Sequence, residues 1–200
     1  MDEHGSAVLL FGNDVREGAR AAYERWHSGH HVPQRLTVRG ILGAIRFRHA
    51  GAGGPEFLTF YRLAKAEILE GPAYRALIET PDAGTLAMRP NLRAPRRLVM
   101  RAGPVPAIPE GFAMVVEQAP ADRPFPRTRW RAAVVIDGPL VTAQRNHPIM
   151  GGAELPAGHL RLVFAPAERL SEWTTPAGAT RLGGIYQSLD RFGVDVGSLR

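Results

Sequence analysis

The chain is 200 residues long, 44% hydrophobic and 22% charged, which suits one large domain or two small ones with a real core. It contains no cysteine, so disulfides, thiolate metal sites and cysteine nucleophiles are excluded. The formal net charge is +6, with 15 basic and 10 acidic side chains in the first 103 residues and 10 and 9 in the rest. The excess is therefore local, centred on Arg89, Arg93, Arg96, Arg97 and Arg101.

Ser6 to Phe11 is a short apolar run ending at Gly12-Asn13-Asp14, which predicts a buried strand and its exit turn. Asp14, with Glu17 three residues on, has the spacing of a helix N-cap. The helix it opens would keep Val15, Ala19, Ala22, Tyr23 and Trp26 on one side and end at Gly29 and Pro33. Ile41 to Arg48 and Phe57 to Leu63 predict two strands joined by the turn Ala50 to Pro55. Lys65 to Thr80 predicts a helix broken at Gly71-Pro72, and Leu98-Val99-Met100 a fourth strand. The order is βαββαβ, the ferredoxin-like arrangement.

Residues 104–110 form a proline-rich linker, after which the pattern begins again more weakly. Phe112 to Glu117, His159 to Phe164 and Gly184 to Leu189 predict strands, with Ala167 to Trp173 a short helix. Arg129 to Val141 stays open between helix and strand, although Val134-Val135-Ile136 favours strand. The expected organisation is thus a first ferredoxin-like repeat over 1–103 and a degenerate second repeat over 111–200.

The stretch from Tyr23 to Phe47 carries Trp26, His31, Pro33, Arg35, Leu36, Gly40 and Phe47 in a pattern that resembles EthD-like and related dimeric α+β barrel proteins. Gly71 to Leu77, following Phe57 to Leu63, is similar to the third strand and second helix of the same proteins. The resemblance implies two ferredoxin-like units closing into a barrel, here a pseudo-dimer in one chain. Relatives of this kind include cofactor-free monooxygenases, polyketide cyclases, haem-binding enzymes and muconolactone-type isomerases, so the fold licenses no single chemistry. His30 stands where relatives carry an acid and Arg39 where proline is common, and the first change removes a carboxylate partner for the family histidine.

His31 is the expected acid or base, since imidazole titrates near neutrality and can move a proton from a phenol, enol or acidic carbon. The structural alternative is a histidine tying its turn to backbone. Tyr23, Trp26, His27, Arg35 and Phe60 are the expected substrate-binding residues, with Phe47 and Tyr61 as further aromatic candidates and Arg62 beside Arg35 as a carboxylate anchor. Aromatic side chains at these spacings are also what a plain core requires. His27, His30 and His31 would share one face of an intact helix, but Gly29 and Pro33 interrupt it and no nearby carboxylate completes a metal site. No metal and no cofactor are therefore expected. The glycines between Ala50 and Gly54 lie between strands, so they make a hairpin and not a phosphate cradle. Asn146-His147-Pro148 reads as loop.

Three functions follow. The first is a cofactor-independent enzyme of monooxygenase, cyclase or isomerase type acting on an apolar or aromatic small molecule. The second is a non-catalytic small-molecule-binding or stress-response protein. The third, less expected, is nucleic-acid binding through the Arg89–Arg101 cluster, since a general preference for Arg over Lys (Lys65 is the only lysine) accounts for most of the excess equally well. No apolar run has membrane-helix length and Met1 to His4 is no basic signal region, so a cytoplasmic address and no membrane partner are expected. Fusion removes the need to dimerise, leaving a homodimer of pseudo-dimers open.

Overall fold

The computed structural model describes residues 6–127, 130, 133–141 and 157–193. Two antiparallel sheets face each other, with short helices covering the outer side of the first. Strand β1 (Ala7–Val15) leads through α1 (Arg20–Trp26), a π-helical turn (His27–His31) and α2 (Val32–Leu36) to β2 (Ile41–Arg48) and β3 (Phe57–Leu63). A 3-10 turn (Ala66–Glu70), α3 (Pro72–Glu79) and α4 (Ala83–Met88) precede β4 (Leu92–Arg101). The second part contributes β5 (Ala113–Ala119), β6 (Val134–Pro139), β7 (His159–Ala165), α5 (Ala167–Leu170), β8 (Thr180–Arg181) and β9 (Gln187–Gly193).

The first sheet runs β4-β1-β3-β2-β9 and the second β6-β7-β5-β8. Counted within its own half, each sheet therefore has the strand order four-one-three-two. The two sheets meet at both edges. At one, Met114 bridges Tyr186, and the chain then leaves the second sheet to pair Gln187–Gly193 with β2. At the other, Leu140 bridges Met100 and the Val141 N–H donates to the Val99 carbonyl at 2.8 Å. Gly138 is required here, because a Cβ at that position would collide with the carbonyl oxygen of Arg101.

The strands of the first sheet are apolar on both faces because both are covered. Even-numbered Val8, Leu10, Leu58 and Phe60 join Phe47 and Met100 in the core between the sheets, against Met114, Val116, Leu162 and Phe164. Odd-numbered Leu9, Tyr61, Leu63 and Val99 face the helices with Val32, Leu69, Tyr74 and Ile78. Strict alternation therefore decides which side chains can reach a site under the helices.

Several expectations are corrected. Asp14 caps no helix, because β1 continues through it to pair with Arg93 and Leu92, and its Oδ1 accepts from the Glu56 N–H at 2.6 Å. The helix begins at Arg20 on Ala19, without a side-chain cap, and Ala22 is exposed. Gly29 and Pro33 do not end it. The Val32 N–H reaches back five residues to the His27 carbonyl, and the widened turn accommodates Pro33, which lacks a donor and sits at the start of α2. Residues 83–88 form an unforeseen helix capped by Asp82, whose Oδ1 accepts from the Thr85 N–H at 3.0 Å.

In the second half Val134–Pro139 is strand, as Val134-Val135-Ile136 of the ambiguous segment favours, while its Arg129, Arg131 and Ala132 lie outside the described residues; the described residues between β5 and β6 contain no helix. Asn146-His147-Pro148 lies outside the described residues. Within 104–110, Val105 and Ile108 are buried in the core between the sheets. Among the described residues no helix is long and apolar enough to cross a membrane.

Candidate functional site

A slot opens on the outer face of the first sheet, covered by α3 and α4 and walled on one side by the π turn and α2. It holds about 680 Å³ of space between atoms, counting its open mouth, of which only about 30 Å³ admits the centre of a water molecule. As it stands it has room for one or two waters. Leu9 and Tyr61 form its floor, and Trp26, His27, His31 and Arg35 one wall.

The π turn builds that wall. It stacks His27 on His31 with ring centroids 5.1 Å apart and sets Trp26 4.5 Å from His31 and 5.6 Å from His27. Tyr23 lies 5.0 Å from His27 and donates its hydroxyl to Asn13 Oδ1 at 2.9 Å. Burial drives the Tyr23 phenol well above its ordinary range, against the pull of Arg46, so it stays protonated. His27 is 1% exposed, and neither ring nitrogen has a hydrogen-bond partner in the protein. Burial, followed by the charges of His31, Arg46 and Arg35, lowers its pKa well below 6.5. His27 is thus a neutral imidazole at physiological pH, while His31 is only half-buried.

Behind the wall, Arg46 is 2% exposed and lies over the rings of Tyr23 and Phe57 at 5.7 and 5.9 Å. Its Nη1 donates to Asp190 Oδ2 at 2.8 Å and touches Ser28 Oγ, which also donates to Asp190 Oδ2, at 2.6 Å. Asp190 belongs to β9, so the last strand locks the π turn in place.

His30 turns the other way, its side chain 46% exposed and its Nε2 3.0 Å from Asp82 Oδ1. A carboxylate does stand near the histidines, but beside His30, and the three rings do not share a face. Asp82 also accepts from Gln34 Nε2 at 3.2 Å and from Thr85 Oγ1 at 2.8 Å. Burial by itself would raise the Asp82 carboxyl, but hydrogen bonds from His30, Thr85 and Gln34 outweigh it and hold it well below the usual carboxylate range. Among the described residues no group of three or more His, Asp or Glu side chains could hold a metal ion.

The structure thus gathers Tyr23, Trp26, His27, His31 and Arg35 as anticipated and separates Phe60 from them. Phe60 points to the core between the sheets, edge-on to Phe164 at 5.6 Å, as does Phe47 at 6.0 Å. Their place at the slot is taken by Tyr61, one residue further along the strand, and by Tyr74 of α3. Alternation along β3 says that Phe60 and Tyr61 oppose each other, but not which of them faces the helices. Arg62 does not line the slot, whereas Arg89 and Arg97 do.

That placement takes Arg97 out of the expected basic strip. Arg97 is 2% exposed, Arg89 Nη2 donates to the Ile78 carbonyl at 3.3 Å, and Arg101 pairs with Glu67 at 3.2 Å. Arg93, Arg96 and Arg101 stay exposed and Arg89 half-exposed, so Arg97 is the one member of the five withdrawn from solvent.

No protein-family model and no curated protein matches the chain. Among solved structures, an anthrone oxidase-like protein aligns over 100% of this chain and 98% of its own, with a TM-score of 0.57 at 11% identity. A protein from Fusobacterium nucleatum subsp. nucleatum, assigned as a candidate monooxygenase, aligns over 98% of this chain and 100% of its own, with a TM-score of 0.47 at 11% identity. The first likeness shows the fold, a mixed α+β chain with two antiparallel sheets, and is consistent with the dimeric α+β barrel resemblance at that level.

Proposed function

We propose that the chain is a pseudo-dimeric α+β barrel, with residues 1–103 and 111–200 as its two halves and 104–110 joining them, and that the slot is the active site of a small enzyme needing no diffusible cofactor. The substrate is an apolar or aromatic molecule with a phenolic, enolic or otherwise acidic proton, and the reaction is of monooxygenase, cyclase or isomerase type. The observation that carries this reading is the stacked pair His27 and His31 on the wall of an aromatic-lined slot. His27, held neutral, serves as a flat rigid support, and half-buried His31 is the ring placed to exchange a proton with both substrate and solvent. The fold shared with a protein named for anthrone oxidation agrees with this, an anthrone being a polycyclic aromatic ketone with an acidic carbon.

The test is a screen of phenolic and enolisable aromatics by oxygen uptake and product spectra, followed by His31→Ala. Loss of a positioned base is expected to lower kcat about 10²- to 10⁴-fold. Unchanged turnover in His31→Ala sinks the role. The second reading is a non-catalytic small-molecule-binding or stress-response protein. Tight binding by a screened aromatic that is never turned over establishes that reading instead.

A further inference from the structure

The chemistry of the slot's lining is lopsided in two independent ways. The described side chains that line it include the guanidinium groups of Arg35 and Arg89 and no Asp or Glu. Arg35 is 6% exposed. Buried cations are stable when an anion or several good acceptors face them. The acceptors seen on Arg35 and Arg89 are neutral: Gln34 Oε1 at 3.0 Å from Arg35 Nη1, and the Ile78 carbonyl for Arg89.

The second imbalance is in donors. Trp26 Nε1, Arg89 Nε and the N–H of His27 are buried and have no hydrogen-bond partner in the protein, and all three residues belong to the slot's lining. Trp26 Nε1 and Arg89 Nε can only donate, and neutral His27 always carries one N–H. Orphaned buried donors in a native site call for an explanation, since each forfeits the hydration it had in the unfolded chain. A ligand that supplies acceptor oxygens and negative charge resolves both imbalances together.

We propose that the slot takes a flat aromatic molecule bearing a carboxylate, with the carboxylate on the Arg35 and Arg89 side and the ring against Trp26, His27 and Tyr61. The inference rests on the reading of the slot as a small-molecule site, and it adds the ligand's charge. Aromatic side chains suit the faces of a flat ring, and the cations suit its polar end.

The test is isothermal titration of the full-length protein with 2-naphthoate and with its neutral counterpart 2-naphthamide. Charge-assisted hydrogen bonding predicts naphthoate tighter by about ten- to a hundredfold. Arg89→Gln, at a half-exposed position, is expected to shrink the preference to about threefold or less, and Arg35→Gln to do the same where circular dichroism shows it folded. Equal affinity for the two probes overturns the anionic assignment while leaving an aromatic slot. A preference for naphthoate that survives Arg89→Gln overturns it too, because the anion then sits elsewhere. Binding of neither probe overturns both the ligand class and the slot reading. Naphthoate binding that persists in a His31→Ala protein without turnover keeps this inference, whatever the fate of the catalytic role.

Discussion

His27 enters the folded protein as a neutral imidazole because its ring is buried beside Tyr23, Trp26 and His31, with Arg46 and Arg35 nearby. The sign of the consequence follows from proton counting. The folded pKa lies below the ordinary 6.5, so the unfolded chain binds more protons below that value. The stability that neutral His27 confers is complete above about pH 6.5 and falls as the pH drops, by at most about 1.4 kcal/mol per pH unit. Urea unfolding at pH 7.5 and 5.5 should show this loss in the native protein and a smaller one in His27→Phe, which keeps the ring and removes the proton site. Equal acid sensitivity in both would mean that the ring is solvated in solution.

Among the elements, the contact between the π turn and α4 has the most to say about the slot. Asp82 is both the N-cap of α4 and the acceptor for His30 and Gln34, so one carboxylate ties the slot's cover to its wall. Asp82→Ala is expected to destabilise the protein by about 1–2 kcal/mol through the lost cap, read as a lower melting temperature. Because the Asp82 pKa is depressed on folding, its contribution is complete above about pH 4 and fades as the pH falls further. The mutant should therefore lose less stability than the native protein between pH 4 and pH 2.5. A melting temperature unchanged by Asp82→Ala would show α4 to be held by packing of Thr85 and Met88 alone.

At the scale of the whole molecule, the inner core belongs to neither half. Val8, Leu10, Phe47 and Phe60 are buried only because Met114, Val116, Leu162 and Phe164 lie opposite. At the seam, Tyr186 is fully buried and donates to the Pro55 carbonyl at 3.0 Å across the two sheets. Residues 1–110 expressed alone should expose that apolar face and sediment as a dimer or aggregate, as expected of half of a pseudo-dimer. A stable folded monomer by analytical ultracentrifugation would contradict the pseudo-dimer reading.

The strands of the first half were legible from the residues alone, since runs such as Phe57 to Leu63 between Gly/Pro clusters have few other local solutions. So was the gathering of Tyr23, Trp26, His27, His31 and Arg35, because they share one short segment. What tertiary structure alone decided was everything set by a distant neighbour. Pro33 ends a free helix, yet a π turn locked by Asp190 of the last strand carries the chain past it. Phe60 and Tyr61 differ by one position, and only the stacking of the sheets says which meets the core and which the slot. Arg89 and Arg97 resemble surface charge in the sequence and become lining because β4 pairs with β1 beneath the helices. Local sequence determines local conformation, whereas burial and charge environment belong to the assembled layers, and a binding site is made of those.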